Sequence, residues 1–147
     1  MTLSLDEREE FLAEPRVAAL SVYAGDTRGP LVVPIWYQYS PGGEPWILTA
    51  PASRKARLVE ATGFFSLMVE RSEPTARYVA VDGSVSSIEP ATEAQLEEMT
   101  RRYLSGAAAD RYLEFARREL GEHVAISMTP EHWLSACLLY TSDAADE

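Results

Sequence analysis

Trp46-Ile47-Leu48-Thr49-Ala50-Pro51-Ala52-Ser53-Arg54-Lys55-Ala56-Arg57-Leu58 is the stretch on which the rest of the chain turns. Trp46 to Thr49 reads as a short strand, Pro51 as part of a turn, and Ser53 as the start of a helix. Arg54, Lys55 and Arg57 crowd that start, and Lys55 is the only lysine in a chain of formal net charge −10. A helix N-terminus presents unpaired N–H groups and the positive end of the helix dipole. A hydroxyl, two guanidiniums and an ammonium added there form a compact anion site, most naturally for a phosphate. The same residues also fit a plain solvated helix start whose charges balance nearby acids.

Working outward, Ser4-x-x-Glu7 is a capping box, so a helix from Leu5 stops before Pro15, with Leu5, Phe11 and Leu12 packing it across an end of the sheet. Val17 to Tyr23 reads as a strand, Gly25 to Pro30 as a hairpin turn, and Leu31 to Tyr39 as one longer strand. Pro34 cannot donate to a ladder, so that strand is exposed or irregular there and open to a ligand. Pro41 to Glu44 forms another hairpin, ahead of Trp46. Gly63 is placed to cap the basic helix. Phe64 to Glu70 and Arg77 to Ile88 are further strands, with Gly83 read as a bulge that bends the second.

Thr92-x-x-Gln95 opens a helix carrying Leu96, Met99 and Tyr103 at helical spacing. Ser105-Gly106 interrupts it, and Asp110 to Leu120 continues as another helix that Gly121 ends. Val124 to Met128 is the last strand expected. About six strands with three or four helices, joined by tight turns, imply antiparallel pairing in a mainly β chain with flanking helices, closed as a small split barrel.

A chain of 147 residues makes one domain with a real core. A net charge of −10 counts against nucleic-acid binding. No apolar run reaches membrane-spanning length, and the acidic N-terminus is no signal peptide, so no membrane association is expected. Cys137 is the only cysteine, which fits a cytoplasmic protein. Two histidines and one cysteine, widely spaced, make no metal-ligand pattern.

Three passages resemble the flavin- and deazaflavin-binding split barrels of the pyridoxamine 5′-phosphate oxidase superfamily. They are Pro34-Ile35-Trp36-Tyr37, Thr49 through Ser53-Arg54-Lys55-Ala56-Arg57, and Arg77-Tyr78-Val79 leading into Gly83. The resemblance covers roughly residues 5 to 136, and the short length and Pro-x-Trp-Tyr strand are most similar to the deazaflavin-dependent branch. It implies an FMN-binding split-barrel fold, an obligate homodimer, and two cofactor sites at the subunit interface. It implies that Arg54, Lys55 and Arg57 contact a cofactor phosphate, with Ser53 and Thr49 adding neutral hydrogen bonds. Pro34, Ile35, Trp36 and Tyr37 would lie along the cofactor ring, with Trp36 equally well a barrel or dimer core residue. Arg77 and Tyr78 would reach the pocket rim.

The implied activity is hydride or electron-pair transfer between a bound deazaflavin (coenzyme F-420), or FMN as the alternative, and a small conjugated molecule. Tyr37, Tyr39 and Tyr78 are the proton-donor candidates. Arg16, Arg28 and Arg71 are the cations available to the longer acidic tail of the deazaflavin coenzyme. A non-catalytic dimeric module that sequesters a flavin or haem is the reading of a different class. The family's oxidase proper carries a C-terminal segment with arginine and histidine for its substrate, which His132 alone does not restore. The last eleven residues, Cys137 to Glu147, resemble a translated sequencing adapter and are read as a replacement for a few native residues after Ala136. The same codons in genomic DNA would refute that reading.

Overall fold

A computed structural model describes residues 1–138. The elements run in the order α1 (Leu5–Ala13), β1 (Ala18–Val22), β2 (Leu31–Ile35), β3 (Tyr37–Gln38), β4 (Trp46–Thr49), α2 (Arg54–Thr62), β5 (Phe64–Arg71), β6 (Ala76–Pro90), α3 (Glu93–Tyr103), α4 (Gly106–Phe115), β7 (Val124–Met128) and β8 (His132–Leu138). α4 runs on into a wider helical turn at Ala116–Leu120. Both capping boxes form, at Ser4/Glu7 and Thr92/Gln95. Gly63 ends α2 in the left-handed conformation, φ 69°, which favours glycine.

All strand pairs are antiparallel, in the order β2-β1-β5-β6-β7-β4-β3, with β8 also on β6. The two ends of this path, β2 and β3, are consecutive in the chain and are separated only by Trp36. The run Leu31–Tyr39, expected as one strand, is therefore two: β2 pairs with β1, and β3 pairs with β4. One piece of chain switches partners at Trp36 and closes the barrel covalently rather than by a ladder. β6 does the same on the opposite side, pairing first with β5 and β8 and then with β7. Pro34 sits in the terminal strand β2, a position that tolerates a missing donor.

Several expectations are corrected. Among the described residues the sheet has eight strands rather than about six. β8 was missed because its residues, His132-Trp133-Leu134-Ser135-Ala136-Cys137-Leu138, show no clean alternation of apolar and polar. Gly83 is regularly paired with Phe65, and the bulge in β6 falls between Val85 and Ser87. Glycine is needed at 83 for another reason: a Cβ there would stand 1.7 Å from the Thr129 carbonyl oxygen. Leu5 is exposed, and only Phe11 and Leu12 carry α1 into the core. Cys137 and Leu138 complete β8 opposite Arg77 and Ala76, while the rest of the adapter-like tail, from residue 139, lies outside the described residues.

The barrel interior is filled by Leu20, Tyr37, Ile47, Phe65, Leu67, Val79, Ile126 and Met128, all fully or nearly fully buried. On the outer face of the half built from β2, β1, β5, β6 and β8, one row is apolar from edge to edge, beside a row of Ser21, Ser66, Asp82 and His132. Pro34, Ala19, Met68, Ala80 and Leu134 stand opposite one another in register across all of those strands. Leu134 is 62% exposed and Val32, on the same face, 61%.

Candidate functional site

β4 delivers the basic helix start. Ile47 and Thr49 point into the barrel, while Leu48 points out. The Thr49 and Ser53 hydroxyls lie 3.0 Å apart, and Ser53 Oγ accepts the Ala56 N–H at 3.2 Å as the N-cap of α2. Thr49 is buried, so the pair anchors the helix to the strand and is not a free donor set. Arg54 and Arg57 are exposed and Lys55 is half-buried. Among the described residues none of the three side chains makes an ion pair or hydrogen bond.

The first turns of α1 and α3 carry acids, Asp6 and Glu7 in one and Glu93 in the other, as the helix dipole favours. The first turn of α2 carries no acid, only cations. Each is mildly unfavourable there unless an anion is present. The solvated-start alternative relies on balancing acids, and none pairs with these cations among the described residues. These residues fit a phosphate.

The partner switch forms the second part of the site. Trp36 stacks on Tyr103 with centroids 4.7 Å apart and planes 9° from parallel, and Tyr112 leans on it at 5.3 Å. Tyr103 seals the seam from α3: its hydroxyl accepts the Tyr37 N–H at 3.0 Å and lies 2.8 Å from the Arg16 carbonyl oxygen. Beside this stack opens a cleft of about 330 Å³ lined by Val17, Pro34, Ile35, Trp36, Leu48, Leu96, Met99, Thr100, Tyr112 and His123. Leu48, Leu96 and His123 also line a wider adjoining groove of about 530 Å³, edged by Thr92, Glu93, Arg117 and Glu122.

Pro34, Ile35 and Trp36 are thus brought together, and Leu48 ties their cleft to the strand that leads into α2. Tyr37 is not part of the wall. Its side chain is fully buried in the barrel, and its hydroxyl donates to the Leu12 carbonyl at 2.5 Å, with the Glu14 carbonyl at 3.2 Å. Burial, partly offset by the Arg102 guanidinium, pushes the phenol up to about 12. Tyr39 is likewise buried, and its hydroxyl donates to Glu9 at 2.6 Å, so burial and that carboxylate hold it protonated. Neither is placed to act in the cleft.

Arg77 also lies elsewhere. It faces Arg71 across the β5–β6 ladder, reaches the Cys137 sulfur at 3.6 Å, and shares the surroundings of the Phe11 ring with Arg71 and Arg16. Arg16 and Arg71 therefore converge on Phe11, not on the cleft, and Arg28 sits in the exposed β1–β2 turn. The sequence reading missed Tyr112 and His123. Tyr112 lies nine positions beyond Tyr103 on a separate helix, and nothing local marks it or His123 as lining the cleft. Among the described residues no three His, Cys, Asp or Glu side chains converge on a metal-sized site, and no helix is long and apolar enough to cross a membrane.

A barrel closed by one partner-switching strand, with helices covering the switch, defines the class: an antiparallel split-barrel protein of the FMN-binding type. Residues 4–137 match the family described as pyridoxamine 5′-phosphate oxidase, and the chain belongs to that family. Solved structures share the fold. The conserved hypothetical protein Rv2991 from Mycobacterium tuberculosis matches with a TM-score of 0.71 at 21% identity, over 93% of this chain and 86% of that one. An F420 reductase matches at 0.68 and 22%, over 86% and 94%. A FAD-binding protein from Mesorhizobium loti matches at 0.61 and 23%, over 92% and 94%. No curated protein matches the chain.

Proposed function

We propose that this protein is a flavin-type oxidoreductase that uses the deazaflavin coenzyme, with FMN as the alternative, to act on a small conjugated organic molecule. The observation that carries this reading is the reversed charge at the start of α2. Among the described residues Arg54, Lys55 and Arg57 have no acid partner at the positive end of a helix capped by Ser53, in a chain of net charge −10. An anionic group docked there removes the repulsion, and a cofactor phosphate is the anion that also accounts for the neighbouring aromatic cleft. Pro34, Ile35 and Trp36 would supply the apolar wall for the ring. When bound, such a cofactor supplies the hydride or electron-pair transfer. The chain's own residues bind it, orient it, and keep water from the cleft through Val17, Leu48, Leu96 and Met99. Family membership and fold likeness to an F420 reductase and a FAD-binding protein support the reading.

We further infer a homodimer built on the sheet face that carries the apolar row. The in-register row Pro34–Ala19–Met68–Ala80–Leu134 ends at Pro34, which also lines the cleft. A second copy on this face would bury the row and cover the open side of the site. A reducing, cytoplasmic setting suits the free Cys137 thiol.

Fluorescence titration of cofactor-free protein with FMN and with the deazaflavin coenzyme tests the function. Tight binding of the deazaflavin is expected, and preference for FMN would move the protein to the oxidase-like branch. Binding of neither would overturn the assignment. Binding without turnover across varied acceptors would favour the sequestering module.

A further inference from the structure

The cleft beside Trp36 is apolar except for three groups. Thr100 is one of them, and its hydroxyl is already engaged, donating to the Leu96 carbonyl at 2.8 Å. The second, Tyr112, is half-buried on α4, and its hydroxyl has no hydrogen-bond partner among the described residues. Burial raises that phenol, so it stays protonated and remains a donor. The third is His123, whose Nδ1 lies 3.2 Å from the Gly121 carbonyl, leaving Nε2 without a partner. His123 lines both the cleft and the wider groove, so its ring connects the enclosed space with solvent. The charged groups around it are Glu93 on α3 and Arg117 beyond α4, which pair with each other, and Glu122 on its own loop.

We propose that Tyr112 and His123 form the polar end of an acceptor subsite. Tyr112 Oη donates a hydrogen bond to the oxygen of a flat organic acceptor lying among Leu48, Leu96 and Met99, and His123 Nε2 delivers the proton that accompanies its reduction. With Pro34, Ile35 and Trp36 given to the cofactor ring, Val17, Leu48, Leu96 and Met99 leave an apolar slot beside it for a flat, poorly hydrated body, and the two free polar atoms select a molecule with one hydrogen-bonding oxygen. The proton step rests on the cofactor reading above; the binding step does not. In the proton step the acceptor's carbonyl carbon gains a hydride, with its electron pair, from the reduced cofactor. The N–H bond at Nε2 breaks, an O–H bond forms on the acceptor, and the neutral imidazole is reprotonated from solvent through the wider groove.

The binding step is tested on cofactor-free protein with 2-naphthol and naphthalene as probes, followed by the imidazole resonances of the chain's two histidines. The His123 signals are expected to shift with 2-naphthol. Those of His132, held 2.7 Å from Asp82 in the other half of the barrel, are expected to stay. Tyr112→Phe should weaken 2-naphthol about tenfold and leave naphthalene unchanged. Unmoved His123 resonances at saturating 2-naphthol would overturn the subsite.

The proton step is tested on cofactor-loaded protein with 1,4-naphthoquinone. His123→Ala should lower kcat on the order of 100-fold, with cofactor affinity unchanged, and imidazole added to the buffer should restore part of it. Full kcat in that variant, or a loss that imidazole does not relieve, would refute the role. A wild-type protein that binds no cofactor would remove the redox reading, while the 2-naphthol titration would still decide whether the pair reads an oxygen.

Discussion

Replacing Tyr37 with Phe separates a core role from a cofactor role at a residue where sequence and structure disagree. The substitution keeps the ring that fills the barrel and deletes a hydroxyl that donates to the Leu12 carbonyl at 2.5 Å. That contact, with the Glu14 carbonyl at 3.2 Å, fastens the end of α1 to the barrel. Leaving a buried carbonyl without its donor costs roughly 1–3 kcal/mol. For a domain of this size that lowers Tm by about 3–10 °C.

A second signature lies in the pH dependence. The folded phenol is raised to about 12 from its ordinary 10, mainly by burial. Its share of stability is therefore complete below pH 10 and is lost as pH climbs towards the folded value, about 2–3 kcal/mol in all. Urea unfolding from pH 8 to 12 should show wild type and Tyr37→Phe far apart at the acid end and converging at the alkaline end. Cofactor affinity at neutral pH should match wild type. A constant gap across the pH range, or a tenfold loss of cofactor affinity with stability intact, would refute the core placement.

The basic helix start gives the complementary result. Lys55→Ala with Arg57→Ala should weaken cofactor binding by roughly 1.5–3 kcal/mol per lost charge-assisted contact, with Tm held or slightly raised because cations leave the positive end of a helix; unchanged affinity would sink the phosphate assignment. Gly83→Ala places a methyl 1.7 Å from the Thr129 carbonyl, whose own N–H bonds Ser84, so both backbones are fixed. Unfolding by urea should show a loss of about 3 kcal/mol or more, or no soluble protein at all; a wild-type midpoint would contradict the close approach. Leu134→Glu puts a charge in the apolar row and should yield monomers by light scattering, whereas an intact dimer would show that the copies meet elsewhere.

Local signals were legible wherever they act locally. Ser4/Glu7 and Thr92/Gln95 fixed two helix starts, and Ser53 with Gly63 bracketed the basic helix, because caps are made by residues three or four positions apart. The strands Trp46–Thr49 and Val124–Met128 were read at their observed bounds, as short β-rich runs between turns. Gly83 was correctly singled out and wrongly explained, since the atom that excludes a side chain there belongs to Thr129, far along the chain.

Composition, caps and turn residues were enough to establish an acidic, antiparallel, mainly β chain with one cationic helix start. They could not show that the run Leu31–Tyr39 changes partners at Trp36, because which strand a residue pairs with is settled by the closure of the whole barrel. The same closure turned Tyr37 inward and Trp36 outward, since neighbours on an extended chain face opposite sides. It also brought Tyr103 and Tyr112 against Trp36, and His123 into the same cleft, from three later segments. A site assembled across that much sequence leaves no periodicity to read; it exists only once long-range packing has placed its parts within reach.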